Sequence, residues 1–265
     1  MTPRAFLVRG LLAGLVAGLA TFGVAQLVGE PHLERAIALE EAGAATSGSH
    51  SHAESTEGES THAHEEGSAV VVSRDNQSTW GLLTGSLAVG VALGGLVALV
   101  AAGTLGRIGP LLPGQSTALV SLIGFVSVAL VPFLKYPANP PGVGSGETIG
   151  DRTVLYFVFL MISIAAAVLA TYAACKLRDR LGTYACVVGS ATAYLVIVVV
   201  AGQVFATVNE VSDFPGDLLW SFRISSLVAL TVMWGVLGVV LVGLVSRLHD
   251  QQRAVLARRE LAASL

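Results

Sequence analysis

Six stretches of this chain carry no Asp, Glu, Lys, Arg or His: Leu11 to Val28, Gly81 to Thr104, Ser116 to Leu134, Val154 to Cys175, Thr183 to Thr207 and Ile224 to Val245. A helix rising about 1.5 Å per residue needs roughly 20 apolar residues to cross the hydrocarbon of a bilayer, and all six are near that length. With no water to bond, backbone groups inside lipid must satisfy one another, which a helix achieves within a single segment. The expected fold class is therefore all-α: a polytopic membrane helical bundle of about six transmembrane helices, with one disordered His/Glu-rich outer loop. Composition agrees, since 53% of the residues are hydrophobic and only 12% charged. The mean hydropathy of +0.72 is not that of a soluble chain. A net charge of -3 offers no basic patch for nucleic acid.

The chain divides into residues 1–42, a first transmembrane helix with a short amphipathic extension; 43–79, the disordered extracytoplasmic loop; 80–248, a five-helix transmembrane bundle; and 249–265, a cytoplasmic tail. The first apolar run exceeds the h-region of a signal peptide and no clean cleavage site follows it, so it reads as an uncleaved helix. Orientation follows the distribution of Lys and Arg. With the N-terminus inside, the inner segments hold ten (Arg4, Arg9, Arg107, Lys176, Arg178, Arg180, Arg247, Arg253, Arg258, Arg259) and the outer segments five (Arg35, Arg74, Lys135, Arg152, Arg223). Both termini are then cytoplasmic in a multi-pass membrane protein. Gly10, Gly14 and Gly18 recur every four residues in the first span, and Gly81/Gly85 and Gly90/Gly94 repeat the device in the second. Small residues at that spacing share a helix face and let two backbones approach closely in lipid, within the chain or in a homo-oligomer. Cys175 and Cys186 read as small packing residues rather than a disulfide.

Between the first two spans lie four of the six histidines, His50, His52, His62 and His64, among glutamates in a Ser/Thr/Gly-rich background. Such a segment has too little apolar surface to offset its ordering entropy. In an extended chain, residues i and i+2 project to one side, so each His-x-His pair can chelate one ion. Imidazole with carboxylate suits Co, Ni, Cu or Zn, and affinity alone does not choose among them. The alternative is a solvated linker with incidental histidines.

Two further loops face the same side. Lys135–Gly144, KYPANPPGVG, cannot continue a helix because proline lacks the N–H and restricts the residue before it. Before the sixth span, Val208–Arg223 carries Glu210, Asp213 and Asp217. With Glu30 and His32 at the outer end of the first span, these carboxylates are candidate metal ligands of a docking vestibule; the alternative for each is a solvated charge or a partner of Arg152 or Arg223.

KYPANPPGVG followed by TIGDR, VNEVSDFPGDLLWSFR running into the last span, and GEPHLERAIALEE after the first together resemble the CbtA family of predicted cobalt transporter subunits. The resemblance covers nearly the whole chain outside the His-rich loop. It implies a bacterial integral membrane protein of cobalt uptake for cobalamin synthesis, partnered by a small single-span subunit with a His-rich tail. This chain carries a His tract of its own, and it has six spans where five are usual in the family.

The function expected is that of an integral membrane subunit of a divalent-metal uptake system, with cobalt as cargo (Ni or Zn as alternatives), capturing the ion at extracytoplasmic loops and passing it inward. The competing reading is a non-transporting assembly factor or sensor that binds metal outside. No cofactor is expected to be tightly bound. An enzyme is not expected: there is no Walker A pattern, and His62-Ala-His64-Glu65-Glu66 is not H-E-x-x-H. Ionisable groups in a membrane usually mark an ion path, and their absence from all six cores leaves Gln26, Gln203, Asn209, hydroxyls and carbonyls of broken helices to carry one.

Overall fold

The computed structural model describes residues 2–48, 73–208, 210–211 and 214–264. Six helices are long and apolar enough to cross a membrane: α1 (Pro3–Gly43), α2 (Arg74–Thr104), α3 (Pro113–Lys135), α4 (Gly146–Leu181), α5 (Thr183–Val204) and α6 (Gly216–Ala263). The six apolar stretches each became one of them. The two chain ends and the α2–α3 and α4–α5 connections lie at one end of the bundle, called here the terminal end. The α3–α4 and α5–α6 connections lie at the other, the loop end.

Boundaries differ from expectation where hydropathy is silent. Residues 43–48 and 74–79, assigned to the disordered loop, are helical, so α1 and α2 both project past their apolar cores. His50, His52, His62 and His64 lie outside the described residues. The fifth helix stops at Val204, not Thr207, and the expected tail continues α6 as helix to Ala263. Thr2 caps α1 from an extended conformation and Pro3 fills its first turn, where a missing N–H costs nothing.

The closest packing is between α1 and α2. A Cβ added at Gly18 would lie 2.7 Å from the Ser86 carbonyl oxygen, and one at Gly14 would lie 2.9 Å from the Val91 Cα. Gly90 and Gly94 return the contact against Gly14, Gly18 and Gly10. Gly85 has nothing within 4 Å, so only Gly90/Gly94 of the two expected pairs in α2 serves packing. The core formed by α1, α2, α3 and α6 centres on Phe6, Ala98, Trp234, Leu237 and Leu241. At the terminal end Arg9 ties α1 to α6, donating from Nε to the Leu244 carbonyl at 3.2 Å. The α4–α5 pair is joined to this core through α3, by a smaller cluster of Ala166, Ala167, Tyr194 and Val198 against Ile123 and Val126. Large apolar side chains such as Leu96, Val199 and Val239 face outward, as lipid contact requires.

Three helices widen into π turns, at Ala25–Gly29 in α1, Gln77–Gly81 in α2 and Phe125–Leu130 in α3. The first and third are each followed, two residues later, by a proline, Pro31 and Pro132. A proline ring crowds the carbonyl four residues back and offers no N–H to it, and a wider turn just before relieves both defects while the helix continues.

Candidate functional site

Polar side chains in the spans are few, and their partners separate into three groups. At the loop end, α1 and α6 enclose a cavity of about 410 Å³ lined by His32, Arg35, Asp217 and Ser221 among others. Asp217 lies in the first turn of α6, where the helix dipole favours a negative charge. The His32 Nδ1 is buried and has no hydrogen-bond partner among the described residues. Deeper on the same helix, Gln26 Oε1 and Thr21 Oγ1 are likewise buried without partners. Thr21 and His32 are eleven residues apart, about 16 Å along the axis, or roughly half the thickness of the hydrocarbon. Gln26 falls inside the π turn. Glu30, 7% exposed, is not free, because Arg74 of α2 bonds its carboxylate at 2.5 Å.

The second group is the proline loop and the segment before α6. Tyr136 ends α3; its hydroxyl donates to the Ala206 carbonyl at 3.0 Å, and its ring packs edge-on against Phe159. Lys135 donates to the Phe205 carbonyl at 3.0 Å. Gly142 and Gly144 take φ of 79° and 99°, the left-handed region that glycine reaches without strain. The Arg152 guanidinium lies directly over Gly144. Glu210 accepts from the Ser145 amide at 3.0 Å and the Thr148 hydroxyl at 2.9 Å, with Arg152 Nη1 at 3.6 Å. The Ser145 amide and then the Thr148 hydroxyl hold its carboxyl below the usual range, against partial desolvation and with a smaller contribution from the Arg152 charge. Glu210 thus fastens the proline loop to the segment before α6.

The third group is in mid-membrane. Ser163 of α4, fully buried, donates to the Ser127 carbonyl in the α3 π turn at 2.8 Å. Its single proton being used there, the 2.9 Å contact with Tyr194 of α5 must be donated by the phenol. A carbonyl freed by the widened turn is thereby satisfied, as hydrocarbon demands.

Of the expected metal ligands, then, His32 and Asp217 line one cavity, and Glu210 is held elsewhere by three partners. Asp213, His50, His52, His62 and His64 lie outside the described residues. Among the described residues no three His, Cys, Asp or Glu side chains come together. Sequence reasoning passed over Thr21, Ser163 and Tyr194, which are lone hydroxyls in apolar runs. Pro31 and Pro132 were the available signals for the π turns beside them. Cys175 and Cys186 are free thiols that line one apolar cavity between α3, α4 and α5.

No curated protein and no solved structure matches the chain. A sequence model of the family described as "Probable cobalt transporter subunit (CbtA)" matches residues 3–246, which takes in the first five helices and α6 as far as Ser246. The chain, an all-helical bundle of six candidate spans, belongs to the CbtA family.

Proposed function

We propose that this subunit admits a divalent metal ion, cobalt as cargo, at the loop end, and that His32 and Asp217 are the first groups to receive it. The observation that carries the reading is the set of buried polar atoms on α1 with no partner among the described residues: His32 Nδ1, Gln26 Oε1 and Thr21 Oγ1. A buried polar atom without a partner costs free energy, and a chain retains such a set where something else supplies the partner. Imidazole, carboxylate, amide and hydroxyl form a donor set of the kind borderline cations accept, and Asp217 offsets part of the ion's charge. The ion passes inward from this cavity along α1, where the π turn around Gln26 also loosens the carbonyl ladder. Glu210 is not a ligand in this reading. His50, His52, His62, His64 and Asp213 collect metal at the entrance, the loop end faces outward and both termini are cytoplasmic. A small single-span subunit with a His-rich tail delivers or receives the ion beside it. No step in the cycle is catalytic, and no cofactor stays bound.

Accumulation of radioactive cobalt at limiting metal measures the claim. His32→Ala and Asp217→Asn each lower it by about tenfold, the equivalent of about 1.4 kcal/mol of binding. Gln26→Leu lowers it without altering binding at the surface of proteoliposomes. Wild-type uptake in both His32→Ala and Asp217→Asn would remove the site, and surface binding with no counts in the lumen would favour a non-transporting metal-binding protein.

A further inference from the structure

A second and larger cavity opens at the loop end, between α3, α4 and α6, with a volume of about 1010 Å³. Its mouth holds three cations, Lys135, Arg152 and Arg223, and among the described residues no carboxylate lines it. Among the described residues only Arg152 has an acidic neighbour, Glu210, which leaves the described mouth with two positive charges in excess. Lys135 is bonded to a carbonyl and Arg223 to the Asn139 side-chain oxygen at 2.9 Å, both uncharged acceptors. The Nε–H groups of Arg152 and Arg223 are buried with no partner among the described residues. Buried guanidinium donors left unused, in the wall of an open cavity, call for an acceptor that the described residues do not supply. A divalent cation cannot serve, since the mouth repels it.

Below the mouth the lining turns apolar, reaching Leu93, Val128, Leu230 and Trp234. Arg223 and Trp234 lie on the same helix eleven residues apart, so the cavity runs about 16 Å down α6. Charge at the opening with an apolar depth describes the complement of an amphiphile. We propose that this cavity binds an amphipathic oxyanion, with its phosphate or carboxylate on Arg152, Arg223 and Lys135 and its hydrocarbon against Leu230 and Trp234. It shares no lining residue with the cavity of His32 and Asp217, so the two assignments stand or fall separately.

The full-length protein in detergent, titrated with phosphatidylglycerol, phosphatidylcholine, dodecyl phosphate or inorganic phosphate, tests this by native mass spectrometry and thermal shift. Wild-type protein is expected to retain phosphatidylglycerol at least about tenfold more tightly than phosphatidylcholine. The double variant Arg152→Gln, Arg223→Gln loses that preference, whereas Arg258→Gln, at the far end of α6, keeps it. Displacement of the lipid by dodecyl phosphate at equal concentration supports the site and assigns it to a soluble amphiphile; failure to displace it supports the site and assigns it to the bilayer. Equal retention of the two lipids by wild-type protein overturns the proposal, even if the double variant does not fold. Inorganic phosphate stabilising as strongly as phosphatidylglycerol overturns its apolar half.

Discussion

Glu210 receives hydrogen bonds from Ser145 and Thr148 and lies beside Arg152, and all three interactions favour its charged form. Its folded pKa is lowered, so the stability it contributes is fully present above the ordinary carboxylate value of 4.5 and is lost as pH falls through the lower, folded value. Glu210→Gln is therefore expected to lower the melting temperature at neutral pH and to flatten the loss of stability below pH 4.5. Thermal unfolding of both proteins across that range checks it, and parallel acid limbs would show that Glu210 is not the group responsible. At this scale the sequence was legible in part. It marked His32, Glu210 and Asp217 as charged or ligating groups at one membrane face, but whether a carboxylate is free or engaged depends on contacts such as Ser145 to Glu210, 65 residues apart. No local pattern encodes those.

Among the elements, the α1–α2 pair rests on backbone contact at Gly14, Gly90 and Gly94. Gly14→Ala must push the helices apart against Gly90 and Val91, because backbone atoms cannot rotate away as a side chain can. A loss of about 1–3 kcal/mol is expected. Gly85→Ala, with nothing within 4 Å, is neutral or slightly stabilising through helix propensity. Unfolding of the two variants in mixed micelles separates them, and equal losses would contradict the packing. The helices themselves were readable because a bilayer permits little else to apolar runs of this length. The Gly14 and Gly90 spacings were readable for the same reason. Gly81 and Gly85 follow the identical spacing and are not used, since which face of α2 meets α1 is set by the whole interface. The helical extensions to Gly48 and from Arg74 carry polar residues, and hydropathy does not register them.

For the whole molecule, the proposed orientation places the two chain ends and the connections at Gly106 and Gly182 in the cytoplasm, and Gly144 outside. Alkaline phosphatase fused after Gly146 is expected to be active and the same enzyme fused after Leu181 inactive; the opposite result would invert the molecule and put the His32 cavity on the inner face. The bundle itself is two bodies joined along α3, whose π turn is stitched to α4 and α5 through Ser163 and Tyr194. α6 runs the full height of the larger body and lines both loop-end cavities, through Asp217 in one and Arg223 in the other. It then continues as an exposed helix to Ala263, 18 residues or about 27 Å past Val245, the last core residue on it. A rod of that kind is a lever whose longer arm, about 42 Å from Val245 to Asp217, ends among the binding groups. Tilting it by about 10° around Val245 would sweep its tip through about 5 Å, at a helical rise of about 1.5 Å per residue. A displacement at Asp217 would be carried, reduced by about a third, to the other end of one helix and to anything that holds Arg258 and Arg259.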